Sequence, residues 1–293
     1  MDAKIWVVIT RAICSAIRKA PKPTRRPQYS DFVVLKMYFW AVFHDRPMKW
    51  ACDRSNSTRF YRPRALPSES QLSRRLRTER FQQLLEGVHA YFVRNSQDCE
   101  VAYLDGKPLP VSICSRDPDA RIGWCTKGFA RGYRLHACVT NDQRIVGFSV
   151  TPMNDGEARV AREDVPIPPR VGLVMADANY DSGKTYTALH KRGHQLLTPL
   201  KTIARTEKGW NRIPFARQIA ARLQVGLGPA YRAMLELRKL IERTFSAMSS
   251  FGGGLAPLPP WVRRLHRVRR WVAAKISIYH ARLNARLAAE GVP

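Results

Sequence analysis

The chain has 293 residues, 45 % of them hydrophobic, enough to bury the core of one large domain or two modest ones and to argue for a globular fold. Lys and Arg number 50 against 23 Asp and Glu, a formal charge of +27 that points to a polyanionic partner, with nucleic acid first among them. Six cysteines (Cys14, Cys52, Cys99, Cys114, Cys125 and Cys138) form no CxxC pair and have no His at zinc-finger spacing, which excludes an obvious zinc finger and reads as reduced intracellular thiols.

The amino-terminal stretch MDAKIWVVITRAICSAIRKA has an apolar patch broken by Thr10 and Arg11 and no clear small-residue cleavage site, so it makes a poor signal peptide. Residues 18–27, RKAPKPTRRP, read as a basic, proline-rich connector. Ser30 then offers an N-cap, Asp31 suits a first turn, and Phe32 to Phe43 fill a helix that is apolar nearly all round and hence buried. That run is too short for a membrane helix, which needs about 20 residues, so a soluble cytoplasmic protein without a membrane partner is expected. From Leu66, Ser68-Glu69-Ser70-Gln71 form a capping box opening a helix with Leu72 and Leu76 on one face and Arg74, Arg75 and Arg77 elsewhere. Thr78 caps a further helix with Phe81, Leu84, Leu85, Val88 and Phe92 at helical spacing. Two capped helices in succession fit either a helix-turn-helix-like arrangement over 66–93 contacting DNA or a plain helical hairpin with a solvated basic face.

Beyond Glu100 the composition turns strand-like. Val101-Ala102-Tyr103-Leu104 leads into Asp105, a loop rich in Arg, Asp and Gly spans 116–132, and Tyr133 to Thr140 and Ile145 to Val150 flank a hairpin signal at Asn141-Asp142-Gln143. Residues 155–164 suit a short helix, Val171 to Ala176 a strand ending at Asp177, Ser182 to Arg192 a helix and Gln195 to Leu200 a strand, a mixed α/β pattern. Residues 201–230 read as irregular and basic, and Tyr231 to Ser250 as one helix carrying Arg238 and Glu242 at i and i+4. After a hinge at Gly252-Gly253-Gly254 and APLPP, apolar residues from Trp261 to Leu287 step by 3 or 4 and define one face of a terminal helix. Its other sides carry Arg263, Arg264, Arg267, Arg269, Arg270 and Lys275, either a solvated face or a set of phosphate contacts.

Three carboxylates stand out: Asp105 and Asp177, each expected at the carboxyl end of an apolar strand, and Glu242 on a late helix. If the two strands are parallel neighbours, their aspartates converge, and two like charges that close favour a bound divalent ion. With Glu242 as third ligand, such a site suits Mg²⁺ or Mn²⁺ and in-line displacement at phosphorus.

At these residues the chain resembles a known family. YLDG around Asp105, ADANYDS around Asp177 and LRKLIERTF around Glu242 look like the three catalytic blocks of bacterial insertion-sequence DDE transposases, in the broad group named after the fourth and fifth insertion sequences. GYRLH at 132–136 and LPSESQLSRRLR at 66–77 also look like that family. The resemblance implies a ribonuclease-H-like mixed five-stranded sheet flanked by helices, two catalytic metal ions, and cleavage then joining of DNA at terminal inverted repeats. It implies that Asp105, Asp177 and Glu242 are both catalytic residues and metal ligands; on physical grounds Asp105 is expected to serve both ions and Asp177 and Glu242 one each, with Arg238, one turn from Glu242, steadying that carboxylate or gripping a phosphate. Leu235 and Ser249 stand where part of the family has Tyr and a basic residue, departures that bear on transposon-end contacts.

The expected organisation is an all-helical DNA-binding region at 1–95, a catalytic core at 96–250, and a hinge with a basic terminal helix at 251–293. Arg74, Arg75, Arg77, Arg238, Arg263, Arg264, Arg267 and Arg270 are the candidate DNA contacts. Paired DNA ends call for a homodimer, acting in the bacterial cytoplasm at the nucleoid. The competing readings are a transposase-derived protein that grips DNA without cutting it, and a nuclease on the same core that cuts without specific ends.

Overall fold

Ser30 begins the apolar helix as expected, its hydroxyl accepting the Val33 N–H. In a computed structural model, residues 3–290 are described apart from 24, 26, 59, 60, 95, 97–99, 126, 127, 202–206 and 256; Cys99 therefore lies outside the described residues. The helices preceding the sheet are α1 (Ala3–Lys19), α2 (Asp31–Phe43), α3 (Met48–Ala51), α4 (Glu69–Leu76) and α5 (Glu79–Val93). The amino-terminal stretch is thus a packed helix, with Ile5, Trp6, Ile9 and Ile13 buried. Helix α2 is buried on nearly every side, as an all-round apolar pattern requires. The capping box of α4 is complete: Ser68 Oγ accepts from Gln71 N–H, and Gln71 Oε1 accepts from Ser68 N–H. Thr78 caps α5 through the Phe81 N–H.

The sheet is built from β1 (Val101–Pro110), β2 (Arg121–Cys125), β3 (Gly128–Thr140), β4 (Ile145–Pro152), β5 (Leu173–Met175) and β6 (Gln195–Leu197). Strand β3 runs antiparallel to β1 and β4, whereas β5 is parallel to both β1 and β6. Five strands in the order β4-β3-β1-β5-β6 form the mixed sheet of a ribonuclease-H-like fold. The sixth, β2, is an addition: it pairs with Gly128–Gly132 of β3, beyond the stretch that β4 occupies. Around the sheet lie α6 (Glu157–Glu163), α7 (Gly183–Lys191), α8 (Glu207–Asn211), α9 (Phe215–Leu227), α10 (Pro229–Glu236) and α11 (Lys239–Ser249). One face of the sheet, through Ala102, Leu104, Cys138, Val174 and Leu196, shares a core with Val160, Tyr186, Leu189, Ala216, Ala220 and Tyr231 of the helices.

Three expectations are corrected here. The loop at 116–132 contains β2 and the start of β3, which alternating small and large residues (Gly123, Trp124, Phe129, Ala130) make possible. Residues 201–230 carry α8 and α9; the packed face of α9 is made of Ala216, Ala220 and Ala221, too small to give a strong apolar period. The single helix at 231–250 is two, because Leu237, Arg238, Leu240 and Ile241 donate to carbonyls three residues back and tighten the backbone between α10 and α11.

The last helix, α12 (Leu265–Ala289), packs against α1, α2 and α5, so residues 248–293 cluster with the first 94, while 95–247 form a second unit. Trp261 precedes α12 rather than joining it. Lys275 does not belong to a solvated basic face: its side chain is fully buried, with Nζ 2.8 Å from Asp45 Oδ1 and donating to Gly253 O at 3.0 Å. No helix among the described residues is long and apolar enough to cross a membrane.

Candidate active site

The parallel ladder of β1 and β5 pairs Val101 with Leu173, Ala102 with Val174 and Tyr103 with Met175, each residue facing the one 72 positions later. Asp105 and Asp177 are separated by that same interval, each two residues beyond the last paired position, and the Asp177 charge acts on Asp105. Asp177 lies two residues beyond the end of β5 and caps the short 3₁₀ turn Ala178–Tyr180, Oδ1 accepting the Asn179 N–H at 2.8 Å and Oδ2 the Asn179 side-chain amide at 3.2 Å. Asp105 is not at a strand tip as expected. Strand β1 runs on to Pro110, because β3 continues to pair with it after β5 has ended, and Asp105 sits in mid-strand with its Oδ1 accepting the Gly106 N–H at 2.8 Å.

Glu242 lies in the first turn of α11, where a carboxylate is favoured by the helix dipole. Arg238, just before that helix, links it to the strand: its Nη1 is 3.5 Å from Glu242 Oε1 and 3.9 Å from Asp105 Oδ2. Burial pushes the Asp105 carboxyl up to about 6; Gly106 and Arg238 pull it down, and the charges of Asp177 and Glu242 push it further up. Asp105 therefore feels the charges of both Asp177 and Glu242. Among the described residues, however, no three His, Cys, Asp or Glu side chains stand close enough to form a ready-made metal cluster. Glu242 is 56 % exposed, and the guanidinium of Arg238 supplies the positive charge between it and Asp105. A set of carboxylate oxygens in which one is desolvated and repelled by the others is chemically suited to a hard divalent cation.

A fourth carboxylate was not singled out from the sequence. Glu157 opens α6, only 13 % exposed, and accepts from Arg134 Nη1 at 2.8 Å. Burial raises its pKa, Arg134 opposes that, and Asp177 and Asp105 reinforce it, so it belongs to the same electrostatic neighbourhood. Gly106 makes room for it: a Cβ there would lie 2.7 Å from Glu157 Oε1 and 3.0 Å from Arg134 Cδ. A Glu in a helix's first turn is so ordinary a capping choice that nothing in the sequence marks this one. The GYRLH segment also acquires physical content. Tyr133 donates to buried Asp117 Oδ2 at 2.6 Å, Arg134 holds Glu157, Leu135 is core, and His136 bonds Thr151 Oγ1 at 3.0 Å.

The candidate DNA-contacting arginines divide. Arg74 and Arg77 are exposed on and after α4, whereas Arg75 turns inward to Asp31, which also holds Arg80 at 2.7 Å. Arg77, Arg267 and Arg270, far apart in sequence, line one cavity with Trp261 and Trp271, and Arg270 donates to Leu76 O. Arg263 and Arg264 precede α12, Arg264 with φ 71° at its start. Arg238 lies between two of the acids, Asp105 and Glu242.

No curated protein and no solved structure matches the chain. A family model described as the transposase DDE domain matches residues 100–272, a span that takes in Asp105, Asp177, Glu242, Arg134, Glu157 and the whole sheet. With more than half of its length accounted for by that model, the chain belongs to the transposase DDE-domain family.

Proposed function

We propose that this transposase cuts and joins DNA at the terminal inverted repeats of an insertion sequence, with Asp105, Asp177 and Glu242 as the catalytic carboxylates. The observation that supports this reading is the parallel β1–β5 register, which ends two residues short of Asp105 and Asp177, together with Arg238 between Asp105 and Glu242. These three side chains would hold two Mg²⁺ or Mn²⁺ ions. Such ions, when bound, supply the charge that activates water or a 3′-hydroxyl and stabilises the leaving oxygen. The residues themselves do the positioning. The Gly106 and Asn179 N–H groups orient the two aspartates, and Arg238 offsets like-charge repulsion and is placed to meet a phosphate oxygen. Arg134 keeps Glu157 paired beside them. Two copies on paired ends, in the bacterial cytoplasm at the nucleoid, complete the proposal.

The test is a plasmid carrying the inverted repeats that bracket the coding region, incubated with purified protein and Mg²⁺ or Mn²⁺. Strand cleavage at the repeat ends followed by joining supports the reading. Cutting without regard to the repeats indicates a nuclease, and tight binding without cutting a DNA-binding protein only.

A further inference from the structure

The β2–β3 hairpin carries three of the most exposed large apolar side chains among the described residues: Ile122 at 65 %, Trp124 at 62 % and Phe129 at 76 %. Trp124 and Phe129 are cross-strand partners in edge-to-face contact, their ring centroids 5.3 Å apart. The two faces of this ribbon differ. On one, Gly123 lies so close to Met153 that a Cβ would fall 2.3 Å from the Met153 carbonyl oxygen, so that face is covered by backbone. The opposite face presents the apolar residues to solvent.

Register relates this face to Asp105, although it is bare only at the hairpin, Ala137, Leu135 and Tyr133 being fully buried. Asp105 pairs with Ala137, and the same side of β3 continues through Leu135, Tyr133 and Arg131 to Phe129; Arg131 pairs with Ile122, and Phe129 with Trp124. Directly paired residues of antiparallel strands point the same way, so the aromatic pair shares its sheet face with Asp105. Eight residues of strand separate Ala137 from Phe129, about 26 Å at the usual rise, or roughly eight base steps of DNA. The charge of this region matches the partner: Arg116 and Arg121 are exposed, and Asp117 is buried under Tyr133.

We propose that Trp124 and Phe129 form a base-stacking wedge that engages the bases of the bound DNA about eight steps from the site of strand cleavage. Unstacking a base step costs energy, which an apolar or aromatic wedge offsets by stacking a ring on the exposed base. The inference rests on the reading of Asp105 as the cutting site for its distance only. Its test is a binding measurement without divalent metal, so a protein that never cuts would leave it decidable.

Fluorescence anisotropy would compare wild type with the double variant Trp124→Ala, Phe129→Ala on duplexes carrying the inverted repeat, with either flank trimmed in steps from the repeat's outer end. The double variant should bind the full duplex at least about tenfold more weakly. It should match wild type once one flank is shorter than roughly eight base pairs. Trp124→Phe with Phe129→Tyr should restore binding, and permanganate should find reactive thymines near that position only with stacking-competent protein. Both substitutions fall on exposed side chains, and circular dichroism would confirm that the fold persists. Unchanged affinity for the full duplex would overturn the proposal. So would a double variant whose solution mass falls while its DNA affinity holds, since the bare face would then be where a second copy docks.

Discussion

Asp105 is a carboxylate in mid-strand, and its surroundings make it costly to ionise. Its carboxyl lies near 6 in the folded protein against 3.8 unperturbed, so the native state binds that proton more tightly. The sign follows: stability is lost as pH rises from about 4 through 6 and the full penalty remains above 6, up to about 3 kcal/mol. Metal-free Asp105→Asn should therefore unfold at higher denaturant than wild type at pH 8, the difference vanishing near pH 4. A variant no more stable than wild type at pH 8 would show that the carboxylate is not strained. Replacing Asp105, Asp177 or Glu242 singly with Ala should abolish metal-dependent strand cleavage while leaving duplex binding largely intact. A cleaving Asp177→Ala protein would end the catalytic assignment. At Gly106 the expectation is steric: Gly106→Ala should displace Glu157 from Arg134 and lower cleavage although no acid has been removed.

At the scale of elements, what the sequence made legible was what local chemistry specifies. Ser30, Ser68 with Gln71, and Thr78 each cap the helix their side chains predicted. Ser68→Ala should cost about 1 kcal/mol in a denaturation series, the usual worth of an N-cap. The strands leading to Asp105 and Asp177 were equally legible, because apolar runs bounded by polar residues have few other uses. What escaped depended on partners distant in sequence. Strand β1 runs past Leu104 only because β3 pairs with it there, and α9 packs through alanines whose apolar signal is faint. The break between α10 and α11 has no Gly or Pro to announce it. Arg75 looked like its neighbours Arg74 and Arg77 until Asp31, 44 residues earlier, proved to hold it.

That difference can be read out on the whole molecule. With a formal charge of +27, DNA affinity should fall steeply with salt. Arg74→Gln and Arg77→Gln should each reduce the log–log salt slope by about one if their exposed guanidinium groups meet phosphates. Arg75→Gln should leave the slope nearly unchanged and lower the unfolding midpoint, because it removes a partner of a buried carboxylate. Equal effects at all three positions would mean that Arg75 leaves Asp31 when DNA binds. Residues 248–293 pack with the first 94. The basic positions at the two ends of the sequence therefore belong to one folded unit, where Arg77, Arg267 and Arg270 already meet.

The alignment of Asp105 with Asp177 has a consequence for how such a chain tolerates change in length. The 72-residue interval is not itself the constraint; what matters is that each aspartate lies the same number of residues beyond its first paired strand position, Val101 or Leu173. Residues added to the connections around Asn141-Asp142-Gln143 or Pro166–Arg170 alter the interval and leave the ladder alone, at a modest entropic cost. One residue added within 101–105 or 173–177 shifts a single acid out of step and turns it toward the opposite side of the sheet. The hydrogen-bonded backbone thus acts as a vernier for the two aspartates, and the lengths free to drift are those of the loops.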